Sequence, residues 1–324
     1  MTTILLKELI QVPTAADISE SHLAINKFIH RTPILQSESL NKIAGCTLLF
    51  KCENFQKVGA FKMRGATRAA LALPPERIIN GLATHSSGNH AQAVAKAAAI
   101  LGVPAHIVMP LNAPMVKSEA TKEYGAKIYP CEATFDARIE ELKKVVANTG
   151  AHFIHPFDDY NVIAGQATCA KELIEDSGPL DIIIAPIGGG GLMSGTCLSA
   201  KYFSSKTKVF GAEPKEVDDA FRSIQTGILQ INSTTNTIAD GLKTSLSKKT
   251  FDIIQNHVEG ILTVTETEII AAMKLIWQRL KITAEPSSAV PLAAILKYPQ
   301  HFTGKIVGFI ISGGNVDIDL KQGL

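Results

Sequence analysis

Short β-rich runs alternate with helical stretches along most of this chain, and that alternation limits the possible folds more than any other feature of the sequence. Two of the runs, residues 181–185 and 305–312, are apolar apart from their ends. A strand with apolar side chains on both faces is typical of a parallel sheet that helices cover on both sides. We therefore predict an α/β fold with mostly parallel sheets.

Individual elements can be placed from hydrophobic periodicity and from the residues that end helices. The predicted strands are residues 79–84, 103–110, 127–131, 181–185, 209–213 and 305–312, and the predicted helices are 91–101, 116–124, 135–148, 268–280 and one that begins near residue 192. Glycine follows three of these helices, at positions 102, 125 and 150, where a left-handed residue commonly ends a helix.

The composition of the 324 residues fits a protein with ample hydrophobic core, arranged as one large or two modest domains. Lysine and arginine (32) nearly balance aspartate and glutamate (30), so charge gives no reason to expect nucleic acid or a membrane surface as a partner. Lys7 and Glu8 interrupt the apolar start of the chain, and no later run approaches the roughly 18 apolar residues of a membrane-spanning helix. We expect a cytoplasmic protein.

The cysteines are odd in number, scattered, and form no C-x-x-C pair: Cys46, Cys52, Cys131, Cys169 and Cys197. This pattern favours reduced, mostly buried thiols over a disulfide framework or a zinc site. Reduced thiols agree with the expected cytoplasmic location.

Three turns that follow predicted strands are rich in glycine and serine, at residues 86–89, 188–191 and 312–315. In open parallel sheets, ligands bind beyond the carboxyl ends of the strands, where such turns gather. We therefore expect the functional site where these three turns meet.

The run of four glycines at 188–191 precedes a predicted helix. Such a run lets several backbone N–H groups converge, and the helix N-terminus adds a partial positive charge, so the turn suits a phosphate group. Nucleotide motifs do not fit, because Thr196 and Cys197 stand where a P-loop needs Lys and Ser or Thr, and Ser194 replaces the third glycine of the dinucleotide fingerprint. A tight turn at a close helix–sheet contact explains the glycines alone equally well.

Lys62 lies between two apolar residues, Phe61 and Met63. Partial desolvation lowers the pKa of such an amine and frees it for Schiff-base chemistry, although most lysines in this setting extend the amine to solvent.

The turn at 86–90 (SSGNH) offers hydroxyls and an amide, with a helix N-cap as the alternative explanation. Ser312 directly follows the last predicted strand, where its hydroxyl would face the same end of the sheet.

Together, a reactive amine, a phosphate-binding turn, a turn of hydroxyls and amide, and a lone serine hydroxyl are what a pyridoxal phosphate site needs. The segments KCENFQKVGAFKMRGA, THSSGNHAQA, PIGGGGLMSG, ADGLK and ISGGNVD resemble those of pyridoxal-phosphate enzymes of the tryptophan synthase β fold, in the threonine/serine dehydratase (ammonia-lyase) and serine racemase subfamily. The resemblance extends from His30 to Asp317. It implies two open, mostly parallel sheets flanked by helices, known as fold type II.

The resemblance also implies roles for individual residues. Lys62 would be the Schiff-base lysine and the base that removes the Cα proton, with Phe61 against the cofactor ring. Asn89 would hydrogen-bond the ring hydroxyl, and Ser312 would face the pyridine nitrogen. The residues that would hold the phosphate are Gly188, Gly189, Gly190, Gly191 and Leu192. The residues that would receive the substrate carboxylate are Ser86, Ser87, Gly88, Asn89 and His90.

Two features bear on the reaction. A neutral hydroxyl at Ser312 does not hold the ring nitrogen protonated, which favours quick loss of a β-substituent. We therefore expect dehydration of L-threonine, L-serine or a related 3-hydroxy amino acid to a 2-oxo acid and ammonia. Ser87 could protonate the face of the substrate opposite Lys62, so one alternative is a serine racemase that interconverts L- and D-serine. The other is a threo-3-hydroxyaspartate ammonia-lyase, because the sequence does not fix the preferred substrate.

Two other classes of protein fit the sequence less well. An NAD-dependent oxidoreductase would need the dinucleotide fingerprint that fails at Ser194, and it leaves Lys62 without a role. A non-catalytic carrier of pyridoxal phosphate leaves the turn at 86–90 unexplained.

Glu213 ends a predicted strand, and Asp219 follows six residues later. Two carboxylates and a turn carbonyl can hold a hard cation such as Mg²⁺ or Ca²⁺, although a pair at this spacing is usually only solvated. The resemblance adds a reason to expect a metal, since related racemases and dehydratases bind such an ion through matching carboxylates, with the carbonyl of Val217 alongside.

The positions of the motifs suggest a domain division. Residues 78–156 contain strand–helix units of their own and the turn at 86–90, whereas Lys62, the glycine run and Ser312 lie outside that segment. We expect a small substrate-closing domain, 78–156, inserted into a large cofactor-binding domain, 1–77 plus 157–324. The resemblance also implies a homodimer. Because the chain ends nine residues after Asn315, we expect no regulatory extension and no feedback control by isoleucine.

Overall fold

A computed structural model describes residues 6–113 and 115–317 of the chain. The first five residues of the N-terminal segment considered above therefore lie outside the described residues. The α-helices are α1 (Ala15–Ile25), α2 (Glu38–Ala44), α3 (Lys62–Leu71), α4 (Pro75–Ile78), α5 (Asn89–Leu101), α6 (Met115–Glu123), α7 (Phe135–Thr149), α8 (Tyr160–Ser177), α9 (Gly191–Phe203), α10 (Asp219–Thr226), α11 (Lys248–His257), α12 (Glu266–Leu280), α13 (Pro286–Lys297) and α14 (Pro299–Phe302). The strands are β1 (Ile34–Leu35), β2 (Thr47–Cys52), β3 (Leu82–His85), β4 (Ala105–Pro110), β5 (Lys127–Cys131), β6 (His152–Phe153), β7 (Ile182–Pro186), β8 (Lys208–Pro214), β9 (Gly260–Val264) and β10 (Ile306–Ile311).

These strands form two sheets. The larger sheet has the order β1-β2-β10-β7-β8-β9, and the smaller one has the order β5-β4-β3-β6. Neighbouring strands are parallel throughout, except that β1 runs antiparallel to β2. The predicted fold class, α/β with two mostly parallel sheets flanked by helices, is confirmed.

Most predicted elements are present, with small shifts at their ends. Strand β3 begins at Leu82 rather than at residue 79, because α4 and a turn precede it and leave Ile79 exposed. Gly102 and Gly150 adopt the left-handed conformation that ends α5 and α7, as predicted. The sequence analysis did not identify β2, β9 or the 18-residue helix α8.

Helix α8 is the element against which both α3 and α9 pack. Where α3 crosses it, a Cβ on Gly165 would lie 2.6 Å from the carbonyl oxygen of Arg64, so only glycine permits the approach. Where α9 crosses it, a Cβ on Gly195 would lie 2.5 Å from the backbone nitrogen of Ala167. Helix α8 thereby fixes α3, which begins at Lys62, and α9, which begins in the glycine run, relative to each other.

The hydrophobic core of the smaller sheet extends beyond residues 78–156. Its buried cluster includes Leu82 and Ile107 from the sheet, and also Met63 and Ala66 from α3. Helix α3 therefore packs against α5, which lies beside the smaller sheet, as well as against α8. The lysine predicted as the reactive amine stands at the first position of this shared helix.

The predicted state of the cysteines is confirmed. All five are free thiols, and all but the partly exposed Cys131 are buried. Trp277 is partly buried against the hydrophobic core and donates its ring N–H to the carbonyl of Ala284 at 2.9 Å.

Among the helices that the structure describes, none combines the length and the apolar character that a bilayer crossing requires.

Candidate active site

The turn after β10 is joined by hydrogen bonds to the segment that leads into α3. The backbone N–H of Phe61 donates to the carbonyl of Ser312 at 3.0 Å, and the side-chain amide of Asn315 donates to the carbonyl of Val58 at 2.7 Å. The end of the last strand therefore lies directly beside the first turn of α3. Two residues predicted for the site, Lys62 and Ser312, are brought together in this way.

The Lys62 amine is enclosed in this region. Its Nζ donates to the carbonyl of Pro156 at 3.0 Å and lies 5.1 Å from the centre of the Phe61 ring. Burial lowers the pKa of the Lys62 amine to about 8, and the nearby carboxylate of Glu285 opposes that shift. Such an amine loses its proton more readily than an ordinary lysine, and its neutral form is nucleophilic and basic.

The four glycines at 188–191 form a turn that has no room for side chains. A Cβ on Gly189 would lie 2.2 Å from the ring of Phe157, and one on Gly190 would lie 2.6 Å from the side chain of Leu246. Gly190 also has a left-handed φ of +84°. Close contact and backbone conformation together explain why this turn consists of glycine.

Backbone donors collect at the same turn. Within residues 6–113 and 115–317, the N–H groups of Gly188, Gly189 and Gly190 donate no hydrogen bond. The next N–H groups, those of Gly191 and Leu192, begin α9 and so lack a carbonyl one turn earlier. Free N–H groups at the N-terminus of a 13-residue helix suit an anion, and the turn therefore fits a phosphate group.

Residues 155–159 connect Lys62 with the glycine turn, because Pro156 contacts the amine and Phe157 packs on Gly189. His155 shapes this loop, since its Nδ1 accepts from the backbone N–H groups of Phe157 (3.2 Å) and Asp158 (2.8 Å). The sequence offers no pattern that points to these contacts. The loop in fact lies between the two main features of the site.

Asn89 is the first residue of α5, and both the nitrogen and the oxygen of its side-chain amide form hydrogen bonds. Its Nδ2 donates to the two carboxylate oxygens of Glu285 at 3.0 and 3.1 Å, and its Oδ1 accepts from Asn315 at 2.9 Å. The predicted site residue Asn89 thus lies beside Glu285 and Asn315. Sequence analysis placed Asn315 in a turn of the expected site without giving it a role, and it missed Glu285. Asn315 belongs to the motif ISGGNVD, whereas Glu285 stands in no motif that signals chemistry.

The rest of the turn at 86–90 joins β3 to α5. The hydroxyl oxygen of Ser86 accepts from the N–H of Gly88 at 3.3 Å, and Ser87 is half-buried between them. His90 is buried, and its Nε2 donates to the carbonyl of Ile154 at 3.1 Å. Burial holds the pKa of His90 well below its usual range, so the ring is neutral and faces the protein interior.

Ser312, the predicted partner of the pyridine nitrogen, is buried at the end of β10. Its Oγ lies 3.0 Å from the Oγ of Ser288 in α13. The hydroxyl therefore belongs to a small network of its own, away from the solvent.

A buried ion network anchors α3 just after Lys62. The Arg64 guanidinium contacts the carboxylates of Glu53 and Glu172, with nitrogen–oxygen distances of 2.7–2.8 Å. Lys51 also contacts Glu172, at 2.7 Å, and these four side chains are almost completely buried. Although burial alone would raise the pKa of Glu172, hydrogen bonds from His22 and Arg64 keep it below its usual range. The network ties α3 to β2 and α8 through ionised groups.

The predicted metal ligands Glu213 and Asp219 are both buried next to the end of β8. Glu213 accepts from the N–H of Phe221 at 2.8 Å, and Asp219 accepts from the N–H of Leu246 at 2.8 Å. Burial and the nearby Asp219 raise the pKa of Glu213, and burial raises that of Asp219 to about 6. Val217 is buried between them in the chain. Within the described residues there is no cluster of three or more Asp, Glu, His or Cys side chains suited to a metal.

Comparison with known proteins finds a family that matches this chain. The family described as pyridoxal-phosphate dependent enzyme matches residues 25–313. The chain is 49% identical to the β-hydroxyaspartate dehydratase of Paracoccus denitrificans (strain Pd 1222) over 308 residues, which covers 95% of this chain and 98% of the relative.

Two solved structures are also similar. The crystal structure of serine racemase from Dictyostelium discoideum matches with a TM-score of 0.90 and 49% identity, over 94% of this chain and 99% of the other. The crystal structure of a threonine deaminase from T.th. matches with a TM-score of 0.90 and 41% identity, over 95% and 100% of the two chains. The expected fold type II is confirmed by these neighbours.

Proposed function

Because the chain belongs to the pyridoxal-phosphate-dependent enzyme family, we propose that it is an ammonia-lyase that converts L-threonine, L-serine or a related 3-hydroxy amino acid to a 2-oxo acid and ammonia. One observation carries the proposal: the Lys62 amine and the glycine turn contact the consecutive residues Pro156 and Phe157. A reactive amine and an anion-binding turn therefore lie close together. The names of the similar proteins, a dehydratase, a racemase and a deaminase, support the same range of chemistry.

Each predicted cofactor contact has a role in this proposal. Bound pyridoxal phosphate supplies an aldehyde that condenses with amines and a ring that withdraws electrons from Cα. Lys62 would hold the aldehyde, and the free N–H groups of 188–192 would hold the phosphate. Phe61 would lie against the ring, Ser312 would face its nitrogen, and Asn89 would hydrogen-bond the ring hydroxyl by turning its amide away from Glu285. With substrate bound, the neutral Nζ of Lys62 would remove the Cα proton.

The substrate carboxylate is received by the turn at 86–90, through backbone N–H groups, among them that of Ser87, and through the hydroxyl of Ser86. The His90 side chain is committed to the carbonyl of Ile154, so His90 contributes through its backbone. Racemisation is the second candidate reaction, and one observation favours it: within the described residues, no hydrogen bond occupies the hydroxyl of Ser87. A free hydroxyl can deliver a proton to Cα from the face opposite Lys62.

A substrate panel tests the function. Purified holoenzyme is given L-serine, L-threonine and L-threo-3-hydroxyaspartate, and both 2-oxo acid and enantiomers are measured. We expect 2-oxo acid to exceed the D-amino acid, and Lys62→Ala to lose the visible absorption of the lysine-bound cofactor together with turnover. If L-serine gives more D-serine than pyruvate, serine racemase replaces ammonia-lyase as the proposed function. Turnover of Lys62→Ala near the wild-type rate would reject the role assigned to Lys62.

We also propose that Glu213 and Asp219, with the carbonyl of Val217, bind Mg²⁺ or Ca²⁺. The support is that two buried carboxylates lie close enough to raise the pKa of Glu213, a cost that a cation would offset. The ion would stabilise the turn after β8 and not enter the chemistry. A chelator should lower the melting temperature of the wild type but not of Glu213→Gln, with recovery on adding the ion. Equal melting curves with and without chelator would refute the proposed metal site.

The domain division remains a proposal. All four strands of the smaller sheet lie within 78–156, which supports a small domain inserted into 1–77 plus 157–324. Substrate bound at 86–90 would draw this domain closed and exclude water. Identical domain angles in structures with and without a substrate analogue would contradict closure. We further propose that the protein is a cytoplasmic homodimer. Sedimentation of the purified protein tests the dimer, and cell fractionation tests the location.

A further inference from the structure

Lys249, in the first turn of α11, extends to the loop that connects β6 with α8. Its Nζ donates to the carbonyl of Asp158 at 3.0 Å and lies 3.7 Å from a carboxylate oxygen of the same residue. The ring centre of Tyr160, the first residue of α8, lies 5.4 Å from the same nitrogen. Sequence analysis gave Lys249 no role.

The stability of α11 does not explain why a lysine stands at this position. A helix N-terminus favours acidic side chains, whereas α11 begins with two lysines, Lys248 and Lys249. Lys248 is exposed and pairs with Asp252 one turn later in the same helix. Lys249 is only partly exposed, and its amine contacts the loop at 155–159 instead. The contact with the loop is therefore what the second lysine provides.

Three consecutive residues of this loop face three different parts of the molecule. Pro156 contacts the Lys62 amine through its carbonyl, and Phe157 packs its ring on the glycine turn. Asp158, the third residue, is the one that Lys249 contacts. Because peptide units are rigid, a displacement of the Asp158 carbonyl is passed on to the two residues before it.

The start of α11 contacts the glycine turn as well. A Cβ on Gly190 would lie 2.6 Å from the side chain of Leu246 and 2.8 Å from that of Thr250. The glycine turn thus touches α11 through Thr250 and the loop through Phe157, while Lys249 joins α11 to the loop. These contacts form a closed ring, so the glycine turn, the loop and the start of α11 hold one another in place.

We propose that Lys249 is a positioning residue that holds the loop at 155–159 in place for the two groups that the reaction uses. With the loop held, Phe157 stays on the glycine turn, and the carbonyl of Pro156 stays on the Lys62 amine. The inference rests on the proposed function, in which the glycine turn holds the cofactor phosphate and Lys62 is the base. An ordered turn keeps its N–H groups convergent, and a fixed acceptor keeps the amine oriented. Lys249 acts on both through the loop.

The test measures the affinity for the cofactor. Holoenzyme is dialysed to equilibrium against graded pyridoxal phosphate, and the bound cofactor is measured by its absorption. Lys249→Met, which loses the donor, should raise the dissociation constant about tenfold, the order expected for one hydrogen bond from a partly exposed charged group. Lys249→Arg, which keeps a cationic donor, should recover most of the affinity. The neighbouring Lys248→Met is the matched control and should bind as the wild type does, because Lys248 contacts Asp252 instead.

Two further measurements separate this role from a general loosening of the protein. The ³¹P resonance of the bound cofactor should shift in Lys249→Met and stay in place in Lys248→Met. At saturating cofactor, Lys249→Met should lower kcat, since the base is displaced, and leave the KM for the amino acid unchanged, since the turn at 86–90 does not contact the loop's lysine partner. A loss that appears only in KM would contradict the proposal.

A double variant tests the path through the loop. In a Phe157→Ala background the loop no longer reaches the glycine turn, so Lys249→Met should raise the dissociation constant by less than it does alone. If Lys249→Met fails to fold, Lys249→Gln, a neutral donor on a shorter side chain, should raise the dissociation constant by a smaller factor. An unchanged constant in the single variant, an equal rise in Lys248→Met, or an equal rise in both backgrounds overturns the proposal.

The outcome is distinguishable from failure of the proposed function. The dissociation constant and the ³¹P resonance need only bound cofactor, so an enzyme that racemises instead of eliminating would still report the role of Lys249. If Gly189→Ala binds the cofactor as tightly as the wild type, the assignment of the glycine turn is rejected, and the role of Lys249 with it.

Discussion

The side-chain amide of Asn89 donates to both carboxylate oxygens of Glu285, at 3.0 and 3.1 Å, across 196 residues of sequence. Asn89 begins α5 beside the smaller sheet, whereas Glu285 precedes α13 beside the larger one. The contact therefore ties the turn at 86–90 to the opposite half of the molecule. It also places a buried negative charge near Lys62.

The first prediction concerns that charge. Glu285→Gln removes the carboxylate that opposes the effect of burial, so the pKa of the Lys62 amine should fall below about 8. The measurement is the pH dependence of Lys62 labelling by an amine reagent in cofactor-free protein, followed by mass spectrometry. Glu259→Gln, which changes an exposed partner of Lys208, is the control and should leave the profile in place. A pKa that stays the same or rises in Glu285→Gln would contradict the prediction.

The second prediction concerns the buried ion network. Glu172→Gln leaves Arg64 and Lys51 without one of their negative partners in a site that water does not reach. Removing one partner of a buried pair typically costs about 3–5 kcal/mol of the free energy of unfolding. Glu8→Gln breaks an exposed pair with Arg77 and should cost less than about 1 kcal/mol. Urea unfolding compares the two variants, and equal losses would refute the distinction.

The third prediction concerns acid stability. Burial lowers the pKa of His85 and of His155 to about 4, from an ordinary value of 6.5. Between these pH values the unfolded chain binds more protons than the folded one, so the free energy of unfolding should fall as the pH falls from 6.5 to 4. Above 6.5 this contribution is fully present. His85→Phe, which keeps a ring stacked on Phe153, should make the fall shallower in urea unfolding. An identical slope would mean that His85 does not titrate as proposed.

The glycine run, Lys62 and the last strand could be recognised because their signals are local. A glycine turn before a helix, a lysine between apolar side chains, and an unbroken apolar run are each visible within ten residues of sequence. Strand β2 escaped recognition for a physical reason. Lys51 at its end and Glu53 just beyond it are charged but completely buried, so their partners in the fold, and not their polarity, determine where they lie.

Helix α8 escaped for a related reason. It is buried on most sides, and its interior positions include Gly165, Gln166, Thr168 and Glu172, so no apolar stripe with a helical period marks it. Glu285 and Lys249 matter only through contacts with residues far away in the chain. Such contacts carry no local pattern, which is why that half of the site became visible only in three dimensions.

The fourth prediction concerns the glycine turn. Gly189→Ala would place a Cβ 2.2 Å from the Phe157 ring, so the turn or the ring must move. Overpacking of this kind costs about 1–3 kcal/mol of stability, and the displaced N–H groups should raise the dissociation constant of the cofactor. Gly260→Ala is the control, because its Cβ would first meet Phe210 at 3.4 Å. Thermal unfolding and fluorescence titration measure both effects. Adding Phe157→Ala should restore part of the stability, and no recovery would place the strain elsewhere.

The last prediction separates the two reactions that Lys62 can start. After Lys62 removes the Cα proton, elimination needs the β-hydroxyl to take up a proton and leave as water, whereas racemisation needs a proton delivered to Cα from the opposite face. Ser87 is the donor assigned to that face, so Ser87→Ala should lower D-serine formation by about 100-fold or more, the usual contribution of a general acid. Formation of 2-oxo acid from the L-substrate should stay largely unchanged.

In deuterium oxide the variant should still exchange the Cα proton of L-serine, since Lys62 can return a deuteron to its own face. Ser86→Ala provides the contrast, because weaker carboxylate binding should lower both products alike. Chiral chromatography and mass spectrometry measure all three quantities, and D-serine formed by Ser87→Ala at the wild-type rate would assign the second proton to another group.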